Sequence, residues 1–164
     1  MISVNLFVPD CTEAIGFYQN VFGAVIIAKQ IGGPMGTRSI RFKIGGDHYA
    51  LFDENPSIGA MSPNSLGGTP LCLQVFVDPA LEWGTNEQGA LVPFMGSGVK
   101  SIVKLALQNG SALLLPSTSR KPIVDLEDGS EMCNIRDPFG YIFSLCSQPK
   151  NRELLTLDKY FAVV

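Results

Sequence analysis

Val4-Asn5-Leu6-Phe7-Val8 (residues 4–8) returns in pattern as Leu73-Gln74-Val75-Phe76-Val77 (residues 73–77). Each run alternates in the way of a half-buried strand. The similarity continues downstream. Ile15 to Gly23 in AIGFYQNVFGA is answered by Ile102 to Gly110 in SIVKLALQNGSA, and both are apolar-periodic stretches stopped by glycine. After each helix comes a β-hairpin, FKIGGDHYALFD in one place and NIRDPFGYIFSLC in the other, turning on glycine or proline. Residues 2–53 and 70–147 therefore read as two unequal copies of one module.

Within the first copy the pattern predicts a strand over 2–9 and a helix over 11–22, capped by Asp10 or Thr12. Strands follow at 25–31, 37–44 and 47–53, giving the order βαβββ. The second copy predicts a strand over 70–78, a helix over 99–109 and strands at 111–115, 122–125, 130–136 and 140–147. The expected divisions are a first module over 1–54, a Pro/Gly/Ser/Asn-rich linker over 55–69, and a second module over 70–148. The second module carries an insertion at 79–98, and residues 149–164 form a weakly helical tail.

Composition narrows the function. The chain has 164 residues, is 46% hydrophobic and has a net charge of −3, enough apolar content for one core or two joined halves. Its lysines and arginines are scattered, so no electrostatic footprint for nucleic acid is expected. No apolar stretch approaches the roughly 18 residues of a membrane span, and no secretory leader is read, so a cytoplasmic location is expected. Cys11, Cys72, Cys133 and Cys146 lack CxxC spacing and read as packed thiols rather than disulfides or a zinc site.

AIGFYQNVFGA after a strand ending in Pro-Asp, together with Arg136-Asp137-Pro138-Phe139-Gly140-Tyr141, resembles the vicinal oxygen chelate superfamily of glyoxalases, bleomycin-resistance proteins and dioxygenases. Within it, these motifs resemble the PhnB-like branch. The resemblance implies an α+β fold: two βαβββ modules forming a curled mixed sheet around a concave pocket, four strands from each, with helices outside. It also implies a homodimer. Metal-dependent members take a histidine or glutamate ligand from the first and last strand of each module. Those places fall here on Ser3, Ala50, Cys72 and Ser144, and a one-residue slip exchanges Cys72 for Leu71. Serine and alanine are poor ligands, and the chain has a single histidine. No metal and no cofactor are expected, and no catalytic residue is assigned.

Alternation across the strands sorts pocket from core. Val4, Leu6, Val8, Tyr49, Leu51, Leu71, Leu73, Val75, Val77, Phe143 and Leu145 should pack inward on the helices. The pocket floor should then carry Ser3, Asn5, Cys72, Gln74 and Ser144 among Phe7, Phe52 and Phe76, with Ala50 beside them. Trp83 and Phe94, from the insertion, are candidates for a lid or for packing on a partner. His48 is read as a turn-side residue rather than a base, and Cys72 as inert. DLEDGSE (residues 125–131) reads as a solvated turn, and the glycine-rich segments at 32–36 and 96–98 as loops.

The expected function is a metal-free, bleomycin-resistance-like protein binding a small organic ligand in a neutral, partly aromatic pocket. The alternative is a glyoxalase-like lyase, isomerase or dioxygenase-type enzyme with a nonstandard or dimer-shared site.

Overall fold

The computed structural model describes residues 3–32, 38–77, 83–85, 91–93, 98–115 and 121–148, with side chains described outside 83–85 and 91–93. The first strand, β1 (Ser3–Val8), runs into α1 (Cys11–Phe22) through Asp10. The Asp10 carboxylate accepts the Thr12 and Glu13 N–H groups at 2.7 and 3.1 Å, satisfying two of the donors that a helix start leaves free. Gly23 ends the helix at φ 64°, returning its N–H to the Gln19 carbonyl. Strands β2 (Val25–Gln30), β3 (Ser39–Ile44) and β4 (Asp47–Asp53) follow, in the sheet order β1-β4-β3-β2. β1 lies parallel to β4, and the other neighbours are antiparallel.

The second half repeats that order. β5 (Cys72–Val77) lies parallel to β11 (Ile142–Ser147), which pairs antiparallel with β10 (Glu131–Arg136). β10 is flanked by β8 (Ala112–Leu114) and β9 (Val124–Asp125), and α3 (Val99–Gln108) is the equivalent of α1. Between the halves lie a 3₁₀ turn (Pro56–Ile58) and a single helical turn, α2 (Pro63–Leu66). β6 (Trp83–Thr85) and β7 (Leu91–Pro93) pair as a small ribbon from the insertion. The Trp83 side chain, Phe94 and the 149–164 tail lie outside the described part.

One core serves both halves. Tyr18 and Phe22 on α1 reach Phe42 of β3 and Phe143 of β11: the Tyr18–Phe42 and Phe22–Phe143 ring centroids are 5.4 and 5.1 Å apart. Leu6, Val8, Leu51, Val75, Val77, Ile135 and Leu145 join the same cluster. Burying each such side chain contributes about 1.5–3 kcal/mol, so the layer between the sheets carries much of the fold. Of the positions that the strand alternation assigned inward, all are buried or half-buried except Leu71, which stands one residue before β5 begins and is exposed.

The sheets are less continuous than expected. Instead of one eight-stranded sheet there are separate four- and five-stranded ones, and no strand pair joins them among the described residues. At Phe7 the outer edge of β1 meets a side chain: the Tyr141 hydroxyl takes the Phe7 N–H at 2.7 Å and donates to the Phe7 carbonyl at 3.0 Å. One hydroxyl thus satisfies both backbone groups that a neighbouring strand would have used.

Candidate functional site

The strand registers set three rows of side chains across the outer face of each sheet, the face turned away from the core. On the first sheet the rows are Ser3, His48, Lys43; Asn5, Ala50, Arg41; and Phe7, Phe52, Ser39. On the second they are Cys72, Ile142, Arg136; Gln74, Ser144, Asn134; and Phe76, Cys146, Met132. The duplication carries through position by position. An amide (Asn5, Gln74), a phenylalanine (Phe7, Phe76) and a cation (Lys43, Arg136) recur in matching places.

The first patch is aromatic at one end, with the Phe7 and Phe52 rings 5.8 Å apart, and basic at the other. The second has Arg136 at one end and a half-exposed Phe76 at the other, with neutral hydrogen-bonding groups between them. Gln74 Nε2 donates to Cys146 Sγ at 3.3 Å, and Ser144 Oγ lies 3.7 Å from the same sulfur. Asn134 Oδ1, one strand over from Ser144, is buried and has no hydrogen-bond partner among the described residues. A buried orphan acceptor costs about 1–3 kcal/mol, so this position favours a bound N–H or O–H.

One expectation is corrected. The outer faces are not neutral, because β3 and β10 place Arg41, Lys43 and Arg136 on them. The alternation in SIRFKI, with Ile40, Phe42 and Ile44 buried, already implied as much for β3. The residues expected on the floor, Ser3, Asn5, Phe7, Ala50, Phe52, Cys72, Gln74, Phe76 and Ser144, are divided between the sheets. The first five sit on one sheet and the other four on the second. No strand pairing, hydrogen bond or ring contact joins the two sets among the described residues.

The four places at which the resemblance puts metal ligands all lie on these outer faces, Ser3 matching Cys72 and Ala50 matching Ser144. Their donor chemistry does not fit a catalytic ion: two hydroxyls, one thiol and a methyl group offer no imidazole or carboxylate. His48 is half-buried beside Ser3 and Lys43, on the same face. Among the described residues no group of three or more His, Cys, Asp or Glu stands close enough to hold an ion.

Ionisable groups behind the faces serve as braces. Arg38 holds Asp53 at 2.6 Å and Asp10 at 2.8 Å, while Asp53 also accepts the Cys11 N–H at 2.8 Å. Burial works to raise the Asp53 carboxyl, but the Cys11 N–H and the Arg38 guanidinium outweigh it and hold it below the usual carboxylate range. In the second module Asp137 is buried in the place of Ile44. It accepts the Tyr18 hydroxyl at 2.7 Å, the Phe139 N–H at 2.9 Å and the Tyr141 N–H at 2.8 Å. Burial pushes its pKa up to about 6 against those donors. Burial also raises the Cys11 thiol to about 11 and moves Cys133 upward, leaving both unreactive at neutral pH.

Residues 1–106 match the family model of the Glyoxalase/Bleomycin resistance protein/Dioxygenase superfamily. Among solved structures the chain is similar to the fosfomycin resistance protein FosX from Listeria monocytogenes, complexed with Mn(II) and sulfate. That match has a TM-score of 0.61 at 14% identity, over 94% of this chain and 96% of that one. FosX from Mesorhizobium loti matches with a TM-score of 0.59 at 12% identity, covering 94% and 95%. A glyoxalase-related enzyme from Fulvimarina pelagi gives 0.57 at 15%, covering 91% and 88%. At these identities the likeness is one of fold. No curated protein matches the sequence significantly. No helix among the described residues is long and apolar enough to cross a membrane.

Proposed function

Since the chain belongs to the Glyoxalase/Bleomycin resistance protein/Dioxygenase superfamily, we propose that it binds a small organic ligand on the outer faces of its sheets without a metal ion. The observation that carries this reading is the donor set Ser3, Ala50, Cys72 and Ser144. The fold keeps its frame at these places, and the side chains that would hold an ion are missing. What remains suits an organic molecule. Phe7, Phe52 and Phe76 offer apolar surface, Asn5, Gln74 and Ser144 offer hydrogen bonds, and Asn134 Oδ1 awaits a donor. Arg41, Lys43 and Arg136 add a preference for ligands with negative charge.

The chain works as a homodimer in this reading, as a cytoplasmic PhnB-like protein. Support comes from the two half-sites on separate sheets, from the outer edge of β5, and from Phe76, which is 50% exposed. A second copy laid along these edges would set one module's patch against the other's. The lid role of Trp83 belongs to the same reading.

A thermal-shift screen of planar aromatic, anionic and glycopeptide-like compounds tests the proposal, because binding to the native state raises the midpoint. At least one class should raise it in metal-free buffer, and Gln74→Ala should reduce the shift. No shift with any class, or a shift that appears only on adding a divalent ion, contradicts it. A second reading, an enzyme with a nonstandard or shared site, is favoured by one observation: a half-buried imidazole, His48, beside Ser3 and Lys43. Turnover lost in His48→Gln would select that reading.

A further inference from the structure

The second module's outer face opens at one end into a cavity of about 300 Å³, closed on its far side by the segment joining the modules. Arg136 and Ile142, neighbours in the first row of that face, form one wall, and Asn64, Gly67, Gly68 and Thr69 form the other. The volume is at the small end of the roughly 300–1,000 Å³ usual for ligand sites.

This cavity is built rather than incidental. Gly140 stands at φ 94° where α2 crosses the β10–β11 turn, and a Cβ there would lie 2.5 Å from Asn64 Oδ1 and 2.9 Å from Pro63 Cβ. Only a glycine lets the connecting segment lie so close. Asn64 Nδ2 fixes the contact by donating to the Pro138 carbonyl at 2.8 Å.

Its chemistry is one-sided. Among the described residues Arg136 is the only ionised one in the lining, which holds no carboxylate. Among the described residues it enters no ion pair. Thr69 Oγ1 accepts the Leu71 N–H at 3.0 Å, which leaves its own hydrogen free to donate. Pro63 and Ile142 supply apolar wall.

We propose that this cavity is a binding site for a small organic monocarboxylate. Its carboxylate pairs with the Arg136 guanidinium and the Thr69 hydroxyl, and its apolar body lies against Ile142 and Pro63. The planar guanidinium matches a carboxylate bidentately, and a single cation balances one negative charge rather than two. The site does not depend on how the outer faces treat metal ions.

Benzoate and acetate, with inorganic phosphate as comparison, are titrated at constant ionic strength into ¹⁵N-labelled full-length chain. Benzoate should bind saturably and move the Gly67, Gly68, Thr69 and Gly140 amide signals. Arg136→Gln, at an exposed position that leaves the core untouched, should weaken it about 10- to 100-fold, the scale of a hydrogen bond to a charged group. Lys104→Gln, at an exposed position on α3 away from both outer faces, should leave it unchanged. The proposal is overturned if benzoate does not saturate, if signals move only elsewhere, if Arg136→Gln binds as well as wild type, or if phosphate binds more tightly than either carboxylate. Unchanged amide spectra of the free variants outside the mutated neighbourhoods confirm that each is folded.

Discussion

The two modules share a strand order and a core pattern, yet their hairpin turns live in different surroundings. Gly46 between β3 and β4 has nothing within 4 Å of where a Cβ would stand, whereas its counterpart Gly140 is pressed against Pro63 and Asn64. At the neighbouring position Ile44 is an ordinary core residue and Asp137 a buried carboxylate. Duplication preserved what the sheets need from each residue, and the second copy took on the work of joining the halves. The Asp137 to Gly140 turn receives α1 through the Tyr18 hydroxyl and α2 through the Asn64 amide.

The sharpest way to break this contrast is a pair of identical substitutions. Gly140→Ala should cost about 2–5 kcal/mol, from a strained positive φ and an overlap with backbone and proline. Gly46→Ala should stay within about 0.5 kcal/mol. Urea midpoints of the two variants decide it, and equal effects would remove the asymmetry.

Acid stability separates the modules next. The Asp137 pKa is raised in the folded state, so its contribution is fully present below the unfolded value of 3.8 and is lost as pH rises through about 6. Relative to Asp137→Asn, wild type should lose up to about 3 kcal/mol between pH 4 and pH 7. Asp53 and Asp10 in the first module behave in the opposite sense. Their folded pKa values are lowered, so their contribution is present above the unfolded value of 3.8 and is lost as pH falls through the lowered values. Arg38→Gln should therefore flatten the acid limb of the stability profile and leave the limb near pH 6 intact. Paired thermal melts from pH 2.5 to 8 read both effects.

The smallest difference is chemical. Cys72 is exposed where Ser3 stands in the first copy, while Cys11, Cys133 and Cys146 are buried. Iodoacetamide should label one thiol per native chain, removed by Cys72→Ser, with no change in melting temperature. Rapid labelling of a second thiol would show a face more open than the structure has it.

Much of this was legible beforehand. Alternation in β1 and β5, glycine-stopped helices and two hairpins announced the modules, because each pattern is local. The row partners Ala50 and Ser144 followed from the same period. Arg41, Lys43 and Arg136 were legible too, had β3 and β10 been read with the same alternation as their neighbours. The cavity at Arg136 and the Tyr18–Asp137 bond were not. They depend on how a connecting segment and a helix pack on a distant turn, and no periodicity records that. The split into two sheets was equally hidden, since a strand sequence does not say whether its edge meets another strand or the Tyr141 hydroxyl.

The proposal for the outer faces is that Ser3, Ala50, Cys72 and Ser144, where the resemblance puts metal ligands, hold no ion. Calorimetric titration of the chelator-stripped full chain with Mn(II), Zn(II), Ni(II) and Fe(II) tests it most directly. No saturable binding is expected at one ion per chain or per dimer. Stoichiometric binding of any of these ions, abolished by Cys72→Ala or Ser144→Ala, would contradict it.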